Sequence, residues 1–343
     1  MVTFDEIAEK YFLSRYLRHA SITVYRSSIK AFELHFGKCL LGDVDHEQIL
    51  AWRKARLDAG LARRSWNTYS SHLKTLYGYA MEQELVTASR NIFSGTLVVP
   101  PKKKKKTIES HLIHQARDWL IELTEQEQRT HQRATITPAW FWLVVFETFF
   151  HTGIRLNALL QIRVKDVHLL QRYILIRGEE EKTHREFSVP IMPGHLPHMK
   201  QLVKSAKSIG MRPDEQLFNV NRFSGHYRRT TMNQDQVEAM YKKLIERLGA
   251  RITPHRFRHT LASDLMRQPD RNIHVTMQLL NHSNMATTLS YIETDQEDIR
   301  MALAEREQQY QGRFKRGREV AGKSLPRGIA CDKKPLTRKK LQG

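Results

Sequence analysis

The run Val98-Val-Pro-Pro-Lys-Lys-Lys-Lys-Lys-Thr107 splits this chain into two folding problems. Two prolines discourage helix and five adjacent lysines repel one another, so the segment is expected to be extended and mobile. Two uses fit it, a solubilising linker or a hinge that lies against a phosphate backbone. Before it, Tyr25, Ile29, Phe32 and Phe36 recur at steps of four and three, and Ile49, Trp52 and Leu57 continue a similar mixture. Residues 65–84 carry Tyr69, Leu73, Leu76, Tyr77 and Ala80 at the same period. Ser21 and Thr23 are candidate caps for one of these helices and Asp45 for the next, while Gly37, Gly42 and Gly60 fall between helices. The pattern predicts a four-helix bundle of about 85 residues.

After the break the helical pattern returns from Ile108 to near Gln311, with one interruption. Arg172-Tyr-Ile-Leu-Ile-Arg177 and Glu186-Phe-Ser-Val-Pro-Ile191 are rich in β-branched and aromatic residues, and Gly178-Glu-Glu-Glu-Lys-Thr-His184 joins them. They predict a hairpin with a polar tip. Beyond Gln311 a tail with scattered glycines carries eleven Lys or Arg against two acidic residues and is expected to be disordered. The organisation read from the sequence is residues 1–97, a linker at 98–107, a second domain at 108–311 and a basic tail at 312–343.

Charge narrows the function. Lys and Arg number 56 against 36 Asp and Glu, for a net +20, and subtracting the tail's +9 still leaves +11. An excess of that size points to a polyanion, of which nucleic acid is the commonest. Two cysteines, Cys39 and Cys331, cannot build a disulfide framework and favour a reducing compartment. The most apolar stretch, from Ala139 to Phe150, contains Glu147 and falls well short of the roughly 20 residues that a membrane span needs. With no secretory signal at the start, the chain is expected to be soluble and cytoplasmic. In the first domain Arg53, Lys54, Arg56, Arg63, Arg64 and Lys74 form either a solvated helix surface or a face that tracks phosphates, with Asn67 and Ser71 near bases.

Four clusters in the second domain could do chemistry. His151-Thr-Gly-Ile-Arg155 reads as a helix end, a glycine break and a new helix, which sets Arg155 near a helix N-terminus. Lys182 lies in the hairpin tip. Thr253-Pro-His255-Arg-Phe-Arg258-His259 opens a helix on which His255 and Arg258 are i and i+3. Leu280-Asn-His282-Ser is followed by Tyr291. Taken singly, Arg155 could pair across the surface, Lys182 could be a solvated turn residue, His282 a structural histidine and Tyr291 a half-buried core residue. His255 and His259 have the i, i+4 spacing of a zinc helix, but Arg256 and Arg258 beside them would repel a cation, so no metal is expected.

Together the clusters are more specific. Two arginines can hold the non-bridging oxygens of a phosphate bidentately. A tyrosine phenol, with an ordinary pKa of about 10, needs such a positive surround to become a nucleophile. Histidines can move its proton or hydrogen-bond the phosphorane, and a lysine can protonate a leaving 5′ oxygen. That is phosphoryl transfer through a phosphotyrosine, without metal or cofactor. No Walker loop, dinucleotide fingerprint or nucleophile elbow competes with it.

The order Thr-Gly-Ile-Arg155, Lys182, His255-x-x-Arg258, His282, Tyr291 resembles the tyrosine recombinases, the group of lambda integrase, Cre and the Xer proteins, over roughly residues 3–310. The resemblance implies a mainly α fold. Its parts would be a four-helix SAM-like core-binding bundle and a mostly helical catalytic domain with a small β-hairpin or sheet, clamping DNA between them. It implies Arg155 and Arg258 as the phosphate clamp, Lys182 as general acid and His255 as acid/base. His282 would donate a hydrogen bond to the phosphate, Tyr291 would be the nucleophile, and the helix around Glu305 would dock on the next protomer. It also implies a site-specific recombinase that acts as a homotetramer on two double-stranded DNA sites through a Holliday junction, with an accessory DNA-bending protein as a candidate partner and no membrane. The chain opens directly on the bundle, which points to simpler sites than a lambda-type integrase uses. Two positions depart from the pattern: Ala158 stands where the family usually has an acidic residue that supports the active site, and Asn281 replaces the usual Gly before the histidine. Asn is the next-best residue for a left-handed backbone, so that turn should survive. Ala158 is the one feature that favours the alternative, a catalytically impaired, sequence-specific DNA-binding protein of the same fold.

Overall fold

The computed structural model describes residues 2–101, 106–177, 186–267, 273–281, 285–289, 300 and 303–304. The chain divides into two compact units, Met1–Lys105 and Lys106–Gly343, the boundary falling within the lysine run.

The first unit is built on four helices, α1 (Phe4–Arg15), α2 (His19–Phe36), α3 (His46–Asp58) and α4 (Arg63–Glu82). Thr3 and Glu6 cap α1 reciprocally, as do Asp45 and Gln48 for α3. Asp45 thus takes the expected role. Ser21 and Thr23 do not, because α2 already begins at His19 and the Thr23 hydroxyl donates to His19 O at 3.0 Å. The buried stripe of α4 is Trp66, Ser70, Leu73, Leu76, Tyr77 and Ala80, with Tyr69 only half-buried. Trp66 meets Trp52 of α3 edge-on at 4.9 Å, and Phe32 of α2 meets Trp52 at 5.7 Å. These rings occupy the bundle centre, where edge-to-face packing adds to the area they bury.

Where it is described, the segment that follows is hydrogen-bonded to the bundle. Asn67 on α4 reads the Val98 backbone in both directions: its Nδ2 donates to Val98 O at 2.8 Å and its Oδ1 accepts from Val98 N–H at 2.9 Å. Arg53, Arg63 and Arg64 donate to the carbonyls of Thr96, Val99 and Pro101 at 3.3, 3.1 and 3.0 Å. The Trp66 indole donates to Thr96 O, and Ser70 bonds the Thr96 hydroxyl. Residues 96–101 are therefore strapped along the bundle, in part by Arg53, Arg63, Arg64 and Asn67, which the sequence also offered as contacts to DNA. Lys102 to Lys105 lie outside the described residues.

The second unit is centred on α6 (Ala139–Thr152), a helix buried nearly all round. It packs against α5 (Ser110–Thr130), α8 (Leu196–Ser208) and α11 (Pro254–Arg267). Between α6 and α8 run the short α7 (Leu156–Gln161), a 3-10 turn at Val164–Asp166 and an antiparallel sheet. The sheet order is β1 (Val167–His168), β2 (Tyr173–Ile176), β3 (Phe187–Pro190), with Ile174 opposite Val189. β2 and β3 pair where the β-branched and aromatic residues predict the hairpin; β1, only two residues long, has no sequence signal. The remaining elements are α9 (Val220–Phe223), α10 (Gln234–Leu248), α12 (Ile273–Leu279) and α13 (Met285–Leu289). Among the described residues no helix is long and apolar enough to cross a membrane.

Candidate active site

Three segments distant in the chain meet around two arginines. The first is the end of α6. It terminates in Gly153, whose backbone is left-handed (φ +57°) and whose N–H donates to Phe149 O at 3.0 Å. A Cβ at this position would lie 2.9 Å from Leu261 Cδ2 and 3.5 Å from Arg258 Cα, so the glycine lets α11 approach the turn. Arg155 follows in extended conformation as the N-cap of α7.

The second segment is α11. The Thr253 hydroxyl accepts from Arg256 N–H at 3.3 Å, and Pro254 occupies the first turn, where a missing N–H costs nothing. One turn on, Arg258 is only 4% exposed. Its Nη1 donates to Gly153 O at 3.0 Å and its Nη2 donates to Leu280 O. The third segment is the end of α12. Here Arg155 Nη2 donates to Asn281 O at 3.4 Å, and Asn281 is itself left-handed (φ +46°), as its replacement of glycine predicts. Two consecutive carbonyls thus receive the two guanidiniums immediately before His282. The planar guanidinium fork makes such contacts directional, so carbonyl acceptors fix where each charge points.

His255 is exposed on the first turn of α11, with its Nε2 2.9 Å from Nε2 of His259. One of these nitrogens donates and the other accepts, so the pair holds a proton between them, the arrangement an acid/base needs. Among the described residues no group of three or more His, Cys, Asp or Glu is arranged to hold a metal ion. Lys182, His282, Tyr291 and Glu305 lie outside the described residues. Arg177, the residue after β2 and the last described before Lys182, donates through Nε and Nη2 to the buried Asp166 at 3.0 and 2.6 Å and ties the end of β2 to the 3-10 turn. Lys165, in the 3-10 turn before the sheet, is ion-paired with Asp214.

Sequence reasoning missed a buried ionic group behind the turn. Glu147 on α6 has a side chain 3% exposed and receives Arg117 of α5 on both oxygens, with Nη2 to Oε2 at 3.0 Å. His151, one turn later, places its Nε2 3.4 Å from the same Oε2. Burial pushes the Glu147 carboxyl up, but hydrogen bonds from His151 and Arg117 and the guanidinium charge outweigh it and bring the pKa down to about 2. The His151 ring stacks on His195 at 5.5 Å and 18° and fits because residue 194 is glycine, where a Cβ would come within 3.1 Å of His151 Cε1. The visible signal was one acid in an otherwise apolar run; its partner is on another helix.

Residues 5–84 match the family model "Phage integrase, N-terminal SAM-like domain" and residues 142–298 match "Phage integrase family". A putative tyrosine recombinase XerC of Pseudomonas aeruginosa is 52% identical over 98% of this chain and 80% of its own length. This chain belongs to the tyrosine recombinases. A putative tyrosine recombinase XerC of Pseudomonas syringae is 54% identical over 90% of the recombinase, which spans 65% of that relative's length. Among solved structures, the Tn1549 transposon integrase in complex with transposon right end DNA superposes with TM-score 0.69 at 16% identity, covering 89% of this chain and 99% of that one. A lambda integrase tetramer bound to a Holliday junction gives 0.64 at 18%, covering 85% and 78%. At those identities the likeness is one of fold, and it matches the predicted class of a SAM-like bundle followed by a mostly helical catalytic domain with a small sheet. The relatives favour a site-specific recombinase over a catalytically impaired DNA-binding protein.

Proposed function

We propose that the recombinase cleaves and rejoins DNA through a 3′-phosphotyrosine on Tyr291, with Arg155 and Arg258 clamping the scissile phosphate. The observation that carries this reading is the convergence of both guanidiniums on the consecutive carbonyls of Leu280 and Asn281, at the residue before His282. Tyr291 Oη attacks phosphorus as the bond to the 5′ oxygen breaks. Lys182 gives that oxygen its proton, the His255–His259 pair takes up the phenolic proton, and His282 donates to a non-bridging oxygen. The two guanidiniums meet the charge that grows on those oxygens, so the step requires no metal, and the phosphotyrosyl bond keeps the energy needed for religation by an incoming 5′ hydroxyl.

In this reading residues 1–97 are the core-binding domain, 98–107 the basic linker, 108–311 the catalytic domain and 312–343 a basic tail that adds non-specific DNA affinity. The working unit is a homotetramer on two double-stranded DNA sites in the cytoplasm, passing through a Holliday junction, with an accessory DNA-bending protein as a candidate partner. The lambda integrase neighbour, a tetramer bound to a Holliday junction, supports this assembly. The test is covalent trapping of wild type and Tyr291→Phe on DNA flanking the gene, with chelator present, on denaturing gels. A DNA-linked band from wild type alone is expected, and its position maps the site. No band from wild type on a site at which recombination has been demonstrated would refute the reading.

A further inference from the structure

The Arg117–Glu147–His151 group lies outside the chemistry above, yet it is built into the helix that ends at the clamp. A carboxylate 3% exposed, on a helix otherwise lined by Phe, Val and Leu, is costly to keep unless its partners hold it firmly. Those partners come from two directions. Arg117 reaches in from α5, its guanidinium 4.6 Å from the Phe150 ring centre and 6.0 Å from that of Phe146. Both rings pack edge-on against Phe257, at 6.5 and 5.1 Å, and Phe257 immediately precedes Arg258 on α11. From the other side His151 joins Glu147 to the start of α8 through its stack on His195. The next turn of α6 ends in Gly153, whose carbonyl receives Arg258 and whose neighbour but one is Arg155.

A two-pronged ion pair in a low-dielectric site has a narrow geometric optimum, so it fixes the rotation and depth of the helix that carries it. Interdigitated apolar packing also holds the helix, but it is non-directional and does not by itself aim the polar groups at its end as the ion pair does. In this chain Ala158 stands where the resemblance leads one to expect a supporting acid, and α7 there offers only a buried methyl. A buried acid that does lie beside this turn is Glu147, on the other side of Arg155 in sequence.

We propose that Glu147 is a positioning residue for DNA cleavage: held by Arg117 and His151, it sets the end of α6 so that Gly153 O and the Arg155 backbone present the two arginines to the scissile phosphate. The inference rests on the clamp role given to those arginines above. Glu147 acts through the helix and touches no reacting atom. A misplacement of about 1 Å at a reacting centre costs on the order of a hundredfold in rate, so a slight shift of the turn is enough to matter.

The test compares two nicked duplexes carrying the cleavage site mapped for the wild-type protein. One has the normal phosphate; the other has a methylphosphonate at the scissile position, which lacks the negative charge that the arginines neutralise. Glu147→Gln keeps the shape and one of the two acceptor oxygens while removing the negative charge and the second prong of the ion pair. Its rate of covalent-complex formation at saturating DNA is expected to fall about tenfold or more on phosphate and to stay near wild type on methylphosphonate, with DNA affinity nearly unchanged. Glu147→Asp should recover part of the lost rate. Equal losses on both duplexes would mean general disorder of the site and overturn the inference, as would no loss on either. Should Glu147→Gln not fold, Arg117→Lys, which keeps the charge but loses the second prong, decides by the same comparison. If wild type forms no covalent complex on either duplex, the functional reading itself fails and this inference with it; if wild type cleaves and the variants match it, only this inference fails.

Discussion

His195 offers the most quantitative check on the catalytic unit. It is fully buried at the N-cap of α8, with its Nε2 3.0 Å from the Thr148 hydroxyl. That hydroxyl already donates to Val144 O at 2.7 Å, so it can only accept from the imidazole, and His195 must carry its proton on Nε2. Nδ1 is then a buried lone pair without a partner among the described residues, and protonating it would create a donor with nothing to meet. Burial first, then the neighbouring His151 and His198, push the His195 pKa from its usual 6.5 down to about 3. The folded value is below the unfolded one, so this group costs nothing above about pH 6.5, where both states are neutral. Below it the unfolded chain takes up the proton and the folded chain does not, and stability falls by about 1.4 kcal/mol per pH unit until about pH 3. At pH 5 the loss is about 2 kcal/mol, or about 4–8 °C in Tm for a unit of this size. That pH lies above the window in which protonation of Glu147, between about 4.5 and about 2, adds its own loss of the same sign. Calorimetry of wild type and His195→Gln near pH 7.5 and near pH 5 checks the reasoning. Gln can still donate to Thr148 but does not titrate, so its second-unit transition should drop by about 4–8 °C less than wild type on acidification. A variant that loses as much as wild type would refute the assignment of the acid sensitivity to this ring.

Three further outcomes are expected. Arg258→Lys keeps the charge but cannot reach both Gly153 O and Leu280 O, so covalent-complex formation should fall by on the order of a hundredfold or more, while affinity by gel shift changes little; parallel losses of both would count against the clamp. Gly153→Ala adds about 1–2 kcal/mol of left-handed strain and pushes on Leu261, so the second unit's Tm should drop by roughly 2–8 °C, and an unchanged Tm would mean the turn is free to rearrange. Asn67→Ala removes both bonds to Val98, at about 1 kcal/mol each, so the Val98 amide should exchange with solvent faster in hydrogen-exchange mass spectrometry; unaltered protection would mean that the remaining contacts to residues 96–101 hold the strap without Asn67.

What could be read in advance was local. The spacing of Ile29 and Phe32 or of Leu73, Leu76 and Ala80 carries the helical period within a few residues, and Asp45, Thr253 and Asn281 act on backbone groups close beside them. What escaped is held together by partners far along the chain. Asn67 meets Val98, Arg117 meets Glu147, and Arg155 reaches Asn281, and no periodicity encodes such pairings. The basic residues of the first unit show the consequence: Arg53, Arg63 and Arg64 read from sequence as a polar face, yet each has a carbonyl of residues 96–101 as an acceptor. α2 starts before Ser21 and Thr23 because hydroxyl residues also fit inside a helix when they bond back to the preceding turn, as Thr23 does.

The same contrast bears on Ala158. If a carboxylate three residues after Arg155 were the only means of aiming the arginines, this chain would lack it and the clamp would be loose. Here Arg258 takes its aim from two main-chain oxygens on separate segments, Gly153 O and Leu280 O, and Arg155 from Asn281 O. A carbonyl survives substitution of the side chain beside it, provided the backbone keeps its conformation. The demand therefore moves from the acid at 158 to the residues that fix those backbones: Gly153 and Asn281, both left-handed, and the buried group around Glu147 that ends in the first of them. Ala158, buried at 3% exposure, contributes packing at the base of α7 in place of charge. A recombinase arranged in this way is expected to lose more cleavage from a methyl group added at Gly153 than it would regain from a carboxylate restored at 158.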